Sequence, residues 1–298
     1  MNIALLCATA RGLRVLEALA ALASGPSIRV VSFREEAWEP PFLDDIRAAA
    51  QRHGARFTEA RLLDGGEPID LLLAVSWRYL IPPSVYTRAL LGAYLFHDSL
   101  LPAYRGFAPT VWAMINGESS TGVTLLRMAE GADEGDVVDQ RRVPIGPEET
   151  IADVMARVTE TYVDVLRANF DALVAGTAVG KPQDHARATY GCKRLPADAR
   201  IDWSASSVSI LNLIRASTSP YPGAFTTLDG KRLTVWSASP SPRVYAGGVP
   251  GRVVGRLGAG VGVLTGDGAI VVTELQLDDG PRLPAAELLT TLSMTLGR

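Results

Sequence analysis

The stretch Ile69-Asp70-Leu71-Leu72-Leu73-Ala74-Val75 decides the fold class of the first half of this 298-residue chain. It is a short, nearly continuous apolar run, which is typical of a strand that is buried on both faces of a parallel sheet. Other short runs occur at Ile3–Cys7, Ile28–Phe33 and Tyr94–Phe96, and helix-like segments separate the runs. We therefore expect an open, doubly wound, mostly parallel α/β sheet.

Three segments have the spacing or the end signals of helices. Leucines recur at three-residue steps in Leu13–Leu22, which predicts a helix after the first strand. Phe42–His53 is predicted as a second helix and Thr150–Ala175 as a long one, and a glycine follows each of them. Glycine tolerates the left-handed conformation in which many helices end, so both helices are expected to stop there.

The last third of the chain has a different pattern. After a predicted helix at Ser207–Ala216, short strand-like runs follow one another without helices between them. Such a series indicates a small antiparallel barrel or sandwich. The runs are Leu233–Trp236, Gly251–Val254, Val261–Leu264 and Ala269–Leu275.

The composition excludes several classes of protein. A net charge of −3 argues against a dedicated nucleic-acid binder, which needs a basic face. The two cysteines, Cys7 and Cys192, exclude a disulfide scaffold and a four-thiolate zinc site, and no metal site is predicted. No apolar run is long enough to span a bilayer, and no signal peptide is readable. A soluble, cytoplasmic protein without membrane contact is expected.

Two polar stretches carry the residues that are suited to chemistry. His97, in Phe96–Gly106, lies just past the end of a predicted buried strand, where open α/β sheets place their ligands. The second stretch, Met128–Asp136, is an acidic loop that contains glycines and Asp133. A histidine and an aspartate on two loops of one sheet predict an acid–base pair that transfers protons for a small substrate.

These stretches resemble the family of formyltransferases that depend on 10-formyltetrahydrofolate. In the first half the resemblance rests on His97–Pro102, Tyr104–Gly106, Asn116–Glu118, Thr121–Thr124 and Gly131–Asp136. In the second half it rests on Lys193–Pro196, Arg200–Trp203, Tyr221–Thr226, Thr265–Ala269 and Thr273–Leu275, as in the methionyl-tRNA and amino-sugar branch. The resemblance implies a Rossmann-like catalytic domain at 1–180, a linker at 181–205 and a small OB-like β-barrel domain at 206–298.

The resemblance also implies roles for particular residues, with 10-formyltetrahydrofolate as the one-carbon donor. His97 is expected to move protons and stabilise an oxyanion, and Asp133, 36 residues later, to orient His97. Ser99 is a further catalytic candidate, and Asp98 and Arg105 are candidates for substrate binding. The pterin is expected to lie between two loop segments, which comprise Trp77, Arg78, Tyr79, Leu80 and Ile81 on one side and Ala129, Glu130, Gly131 and Ala132 on the other.

One position departs from the family pattern. Leu95 occupies the place of the family's catalytic Asn, two residues before His97, and a leucine side chain has no hydrogen-bond donor. Loss of one oxyanion donor typically costs about 100- to 1000-fold in rate. Either protonated Asp98, Ser99 or a backbone amide replaces the donor, or ordinary formyl transfer is impaired. A third alternative is a changed reaction, with another one-carbon oxidation level or another acyl donor.

The acceptor is predicted from charge. Methionyl-tRNA formyltransferases carry a basic insertion after the second strand, whereas Arg34–Pro41 is net acidic here. Phosphate backbones are bound by Lys and Arg, so a small amine, such as an amino sugar or a natural-product intermediate, is favoured over tRNA. Methionyl-tRNA formyltransferase activity and a non-catalytic member that binds folate or substrate stay open as alternatives. A homodimer is also among the expectations.

Overall fold

The protein was analysed as a computed structural model that describes residues 1–22, 25, 27–63 and 66–298. The described residues group into two compact units. The first comprises Met1–Thr110, Ser120–Pro144 and Val154–Lys193, and the second comprises Val111–Ser119, Ile145–Asp153 and Arg194–Arg298. The domain boundaries expected from the sequence stay a prediction.

A seven-stranded sheet dominates the first unit. Its strands, with the two-residue β6 that lies outside it, are β1 (Asn2–Cys7), β2 (Ser27–Ser32), β3 (Arg56–Glu59), β4 (Ile69–Val75), β5 (Ala89–His97), β6 (Arg105–Gly106), β7 (Ser120–Arg127) and β8 (Val137–Pro144). The order across the sheet is β3-β2-β1-β4-β5-β7-β8. The first five strands in this order are parallel, and β7 and β8 are antiparallel to their neighbours. The predicted mostly parallel sheet is confirmed.

The central strands are buried because they consist of apolar residues that both faces of the sheet can cover. In β4, six of the seven residues are buried, and Asp70 is the half-buried one. The α-helices in the part of the chain that the structure describes are α1 (Thr9–Leu22), α2 (Leu43–Arg52), α3 (Pro83–Tyr86), α4 (Pro109–Ile115), α5 (Ile151–Val174), α6 (Ser207–Ser217) and α7 (Ala285–Leu288). The four helices predicted from the sequence correspond to α1, α2, α5 and α6.

The second unit contains an antiparallel sheet. Its strands are β10 (Ala224–Leu228), β11 (Lys231–Pro240), β12 (Val253–Leu257), β13 (Gly260–Leu264), β14 (Ala269–Leu277) and β15 (Arg282–Pro284), whereas β9 (Tyr190–Gly191) belongs to the first unit and pairs there with β6. The order is β10-β11-β14-β13-β12, with β15 on β14. The four predicted runs correspond to β11–β14, and β10 and β15 are additional. An α/β unit with an antiparallel β domain after it is the predicted fold class, which is confirmed.

Candidate active site

The segments that follow β1, β4, β5 and β7 contain most of the strained backbone among the described residues. Seven described residues that are not glycine have positive φ, a conformation that side chains disfavour. Five of the seven lie in these segments, with Thr9 as the first residue of α1 and Ala108 between β6 and α4, and such strain typically clusters at functional sites. The five are Thr9, Ser76, Tyr104, Ala108 and Asp133, with φ between 50° and 64°.

His97 ends β5 and is 6% exposed. Its Nε2 lies 2.7 Å from the carbonyl oxygen of Tyr104. Because a carbonyl only accepts hydrogen bonds, Nε2 carries a proton, which it donates. The Nδ1 atom on the other side of the ring lies 3.5 Å from Oδ1 of Asp133. The structure thus brings together the two residues that the sequence predicts as an acid–base pair.

Asp133 is held by hydrogen bonds from two other segments. Its Oδ2 accepts a hydrogen bond from the backbone amide of Gly106 at 2.8 Å, and its backbone oxygen accepts one from Nε2 of Gln183 at 2.8 Å. The loop also passes close to β7, since a Cβ at Gly135 would lie 1.8 Å from the carbonyl oxygen of Arg127. Only glycine fits there. The Asp133 carboxylate therefore has a fixed place beside His97.

Arg105 supports this loop from inside the protein. It is 1% exposed, and its Nη2 donates to Oε1 of Gln183 at 2.8 Å. Its Nη1 lies 3.3 Å from Oε1 of Glu134, which balances its charge. Arg105 is therefore buried and paired beside the Asp133 loop, and its role in substrate binding stays a prediction.

Asp98 points into a buried ion pair. Its Oδ2 accepts a hydrogen bond from Nη1 of Arg11 at 2.9 Å, and its Oδ1 accepts one from the Tyr162 hydroxyl at 2.6 Å. Burial acts to raise the pKa of Asp98, but the Arg11 guanidinium, His97 and the Tyr162 hydroxyl outweigh it, so the pKa is lowered. Asp98 is therefore ionised at neutral pH and has no proton to donate to an oxyanion.

Ser99 is also committed to its own loop. It is 1% exposed, and its hydroxyl donates a hydrogen bond of 2.6 Å to the carbonyl oxygen of Ala103. The hydroxyl of Thr124 donates to the Ser99 carbonyl at 2.7 Å. These bonds close the loop that leads from His97 to Tyr104. Both side chains that are candidates for the replacement donor, Asp98 and Ser99, are thus hydrogen-bonded within the protein.

Leu95 contributes an apolar surface next to His97. Side chains two residues apart on a strand point to the same face, so Leu95 and His97 share one side of β5. Leu95 is partly buried and packs in an apolar cluster with Trp77, Ile81 and Met128. This position offers no donor.

Two residues of the first predicted pterin-binding segment, Trp77 and Ile81, and Met128, which directly precedes the second segment, belong to this cluster. Trp77 packs edge-to-face on Phe33 and Tyr79, with ring centroids 5.2 and 5.9 Å away. The indole Nε1 of Trp77 is buried, and among the described residues it has no hydrogen-bond partner. The remaining predicted residues of the two segments lie at or near the surface: Arg78, Ile81 and Gly131 are partly buried, and Leu80, Ala129, Glu130 and Ala132 are exposed.

Sequence reasoning missed three residues of this region. Arg11 and Tyr162 pair with Asp98 across 87 and 64 positions of the chain, and Gln183 lies in the segment predicted as a linker. Arg11 follows the first strand, so the rule that ligands lie at the carboxyl edge of such sheets was a usable signal. No sequence signal pointed to Tyr162 or Gln183.

Three further features concern other classes of function. Within the described residues, no group of three His, Cys, Asp or Glu side chains is arranged to hold a metal ion. None of the helices described combines the length and the apolar character that crossing a membrane requires. Burial raises the pKa of the Cys7 thiol, which disfavours the reactive thiolate.

The chain combines a doubly wound α/β unit with a His–Asp pair at the end of a central strand, an arrangement that is suited to proton transfer. Residues 19–168 match the family model described as "Formyl transferase", and residues 195–293 match "Formyl transferase, C-terminal domain". A methionyl-tRNA formyltransferase from Geobacter sulfurreducens is 36% identical over 262 residues, which cover 85% of this chain and 81% of that protein. The chain belongs to the formyl transferase family, as predicted.

Two solved structures share the fold. The N-formyltransferase from Helicobacter canadensis, in complex with folinic acid and dTDP-3-aminofucose, has a TM-score of 0.72 at 15% identity and covers 91% of this chain and 98% of that one. HypX from Aquifex aeolicus, in complex with tetrahydrofolic acid, has a TM-score of 0.65 at 24% identity. The match covers 97% of this chain and 47% of HypX, so the chain spans about half the length of that protein.

Proposed function

We propose that this protein transfers a formyl group from 10-formyltetrahydrofolate to the amine of a small molecule. The observation that carries the proposal is the placement of His97 Nδ1 3.5 Å from Asp133 Oδ1 at the end of β5. Membership of the formyl transferase family supports the reaction class. The folate ligands of the two structural neighbours support the choice of donor.

The apolar surface beside Leu95 fits the pterin of this donor. A buried donor such as Trp77 Nε1, without a partner, costs roughly 1–3 kcal/mol, and a ligand acceptor removes that cost. A pterin supplies flat apolar faces and several ring acceptors. Residues 77–81 and 129–132 would hold it between them, as the sequence predicts.

The chemistry of transfer requires little more than proton movement and charge stabilisation. When bound, 10-formyltetrahydrofolate supplies an activated formyl carbon. The amine nitrogen bonds to this carbon, the bond from the carbon to N10 breaks, and a proton passes from the amine to N10. His97 Nδ1, with its ring fixed by the Tyr104 carbonyl, accepts and returns that proton. Asp133 stabilises the charged imidazole from 3.5 Å.

The site supplies few hydrogen-bond donors to the oxyanion that forms during transfer. Leu95 has no donor, Asp98 is ionised, and the Ser99 hydroxyl is used by Ala103. His97 or a backbone amide is left to stabilise the developing negative charge. We infer that formyl transfer is slower than with a side-chain amide at position 95, or that the acceptor or acyl donor is unusually reactive.

The charges at this edge support a small acceptor over tRNA. Glu39, in the acidic segment 34–41, pairs with Arg78 at 2.8 Å. Three arginines near the site, each with little exposed side chain, are paired with carboxylates, which compete with phosphate for them. The pairs are Arg11–Asp98, Arg78–Glu39 and Arg105–Glu134.

Methionyl-tRNA is the second candidate acceptor, because curated relatives that are 33–36% identical are methionyl-tRNA formyltransferases. The test is incubation with 10-formyltetrahydrofolate and either a panel of amino sugars and other small amines or methionyl initiator tRNA. Tetrahydrofolate release and product mass are measured in both arms. A formylated small amine is expected, and a product in the tRNA arm alone would replace the proposal. Folate binding without any product would indicate a non-catalytic member, and a different mass increment would indicate altered chemistry.

A further inference from the structure

The segment that the sequence predicts as the start of a linker is tied to the candidate site at both of its ends. Lys181 exchanges two backbone hydrogen bonds with Val137, of 2.8 and 2.9 Å, directly after the acidic loop. Ten residues later, β9 pairs in parallel with β6. Thr189 adds a side-chain bond, since its Oγ1 accepts from the backbone amide of Tyr104 at 2.8 Å. We call residues 181–191 the strap.

Gln183 lies between these two attachments, and its amide is fully used. Its Nε2 donates to the backbone oxygens of Asp133 and Gly135, each at 2.8 Å. Its Oε1 accepts from Arg105 Nη2 at 2.8 Å and from Nε at 3.3 Å. The side chain is 7% exposed, so these bonds are made away from water. A buried amide with all of its hydrogen bonds made fixes its neighbours rigidly.

The neighbours that the strap fixes carry both candidate catalytic side chains. Asp133 has φ of 58°, in the left-handed region that Asp tolerates better than most residues that are not glycine. Gln183 donates hydrogen bonds to the backbone oxygens of Asp133 and of Gly135, two residues later. On the opposite side, β6 is held by β9, and the Gly106 amide of β6 binds the Asp133 carboxylate. The Tyr104 carbonyl, next to β6, orients the His97 ring.

We propose that Gln183 is a positioning residue for catalysis, which sets Asp133 against His97, and that the strap belongs to the active centre. The inference rests on the proposed function, because it assigns Asp133 a catalytic role. A positioning residue and a merely structural residue differ in how they combine with the loss of Asp133. If Gln183 acts through Asp133, its removal has no further effect on turnover once the Asp133 carboxylate is gone.

The kinetic test compares Gln183→Met, Gln183→Glu and Asp133→Asn with the double variant Gln183→Met/Asp133→Asn. Gln183→Glu keeps an acceptor for Arg105 but removes both N–H donors, so it is expected to fold and to lose kcat as Gln183→Met does, by about 10- to 100-fold. The double variant is expected to match Asp133→Asn. Losses that multiply would show that Gln183 acts only through general stability.

The matched control is Gln276→Met in the second unit. The Gln276 amide is also used on both sides, with Nε2 donating to the Gly280 carbonyl at 2.7 Å and Oε1 accepting from Trp236 at 2.9 Å. This variant is expected to keep the wild-type kcat. A loss as large as that of Gln183→Met would overturn the assignment.

A second measurement does not depend on turnover. Hydrogen–deuterium exchange at the Gly106 amide reports the bond to the Asp133 carboxylate directly. We expect at least about tenfold faster exchange in Gln183→Met and no change in Gln276→Met. Unchanged exchange at Gly106 would overturn the positioning role even if no amine is formylated. If exchange is faster in Gln183→Met but the wild-type protein formylates no amine, the proposed function has failed, whereas the positioning of Asp133 by the strap stands.

Discussion

The two sides of His97 differ in how completely their polar groups are paired. On the Asp133 side, the carboxylate, the loop carbonyls and the Arg105 guanidinium all have partners within the protein. On the Leu95 side, the surroundings are apolar, and the Trp77 Nε1 is buried with no partner among the described residues. A fully paired network fixes geometry, whereas an unpaired buried donor needs a partner that the described residues do not supply. Under the proposed function, the paired side positions the catalytic groups and the apolar side binds the formyl donor.

The largest effect is expected on the paired side. His97→Ala and Asp133→Asn each remove one half of the acid–base pair, and we expect formyl transfer to fall by about 1000-fold or more. The measurement is the rate of tetrahydrofolate release with the best amine. The exposed Asp164→Asn, on α5, serves as the control and should keep the wild-type rate. A rate within tenfold of wild type for either site variant would place the chemistry elsewhere.

The next largest effect is expected from making the apolar side polar. Leu95→Asn restores a side-chain amide two residues before His97, and we expect ordinary formyl transfer to rise by up to about 100-fold. Leu95→Ala opens similar space without a donor, so it should not accelerate the reaction. Stopped-flow or steady-state kcat with one amine decides between them. Equal gains in both variants would show that space rather than hydrogen bonding limits the rate.

The fold was predictable because short range patterns carry it. The apolar run of β4 and the three-residue leucine spacing of α1 each predict their element from residues that are close together in the chain. The pairing of a histidine with an aspartate followed from their places on two loops of one sheet, and the resemblance, with its 36-residue spacing, singled out His97 and Asp133. β15 was not predicted, since a strand of three residues carries little pattern, and the five-residue β10 was not predicted either.

The assignments of Asp98, Ser99 and Arg105 depended on partners that sequence does not show. Asp98 is a candidate for substrate contact, and the structure pairs it with Arg11, 87 positions earlier. Arg105 is another such candidate, and its guanidinium donates a hydrogen bond to Gln183, 78 positions later. Polar side chains beside a catalytic residue look alike in sequence whether they face the substrate or the protein, and only the tertiary partners distinguish the two.

A smaller effect is expected on stability at acid pH. The lowered pKa of Asp98 means that its charge stabilises the fold above the pKa of the unfolded chain, about 3.9, and that this contribution is lost as pH falls below it. Asp98→Asn should therefore cost about 1–3 kcal/mol of unfolding free energy at pH 7 and progressively less toward pH 2. Urea unfolding as a function of pH measures this.

The control for that measurement is Asp44→Asn, which breaks the exposed pair with Arg47. Exposed pairs contribute little, so its curve should follow the wild type within about 1 kcal/mol at every pH. A constant offset between Asp98→Asn and wild type from pH 7 to pH 2 would contradict the charge argument, because a lost packing contact does not titrate.

The smallest effect is expected where the unpaired donor meets the ligand. Trp77→Phe keeps an aromatic ring against Phe33 and Tyr79 and removes only the buried N–H. If the pterin accepts that hydrogen bond, tetrahydrofolate should bind about 5- to 10-fold more weakly by calorimetry, which corresponds to roughly 1 kcal/mol. The variant should also be at least as stable as wild type without ligand, because an unsatisfied donor has been removed. Trp236→Phe, whose indole N–H is already bonded to Gln276, is the matched control, with unchanged folate affinity and lower stability. Weaker binding combined with lower stability in Trp77→Phe would mean that the indole N–H stabilises the fold instead. The apolar side of His97 would then no longer be supported as the binding site of the formyl donor.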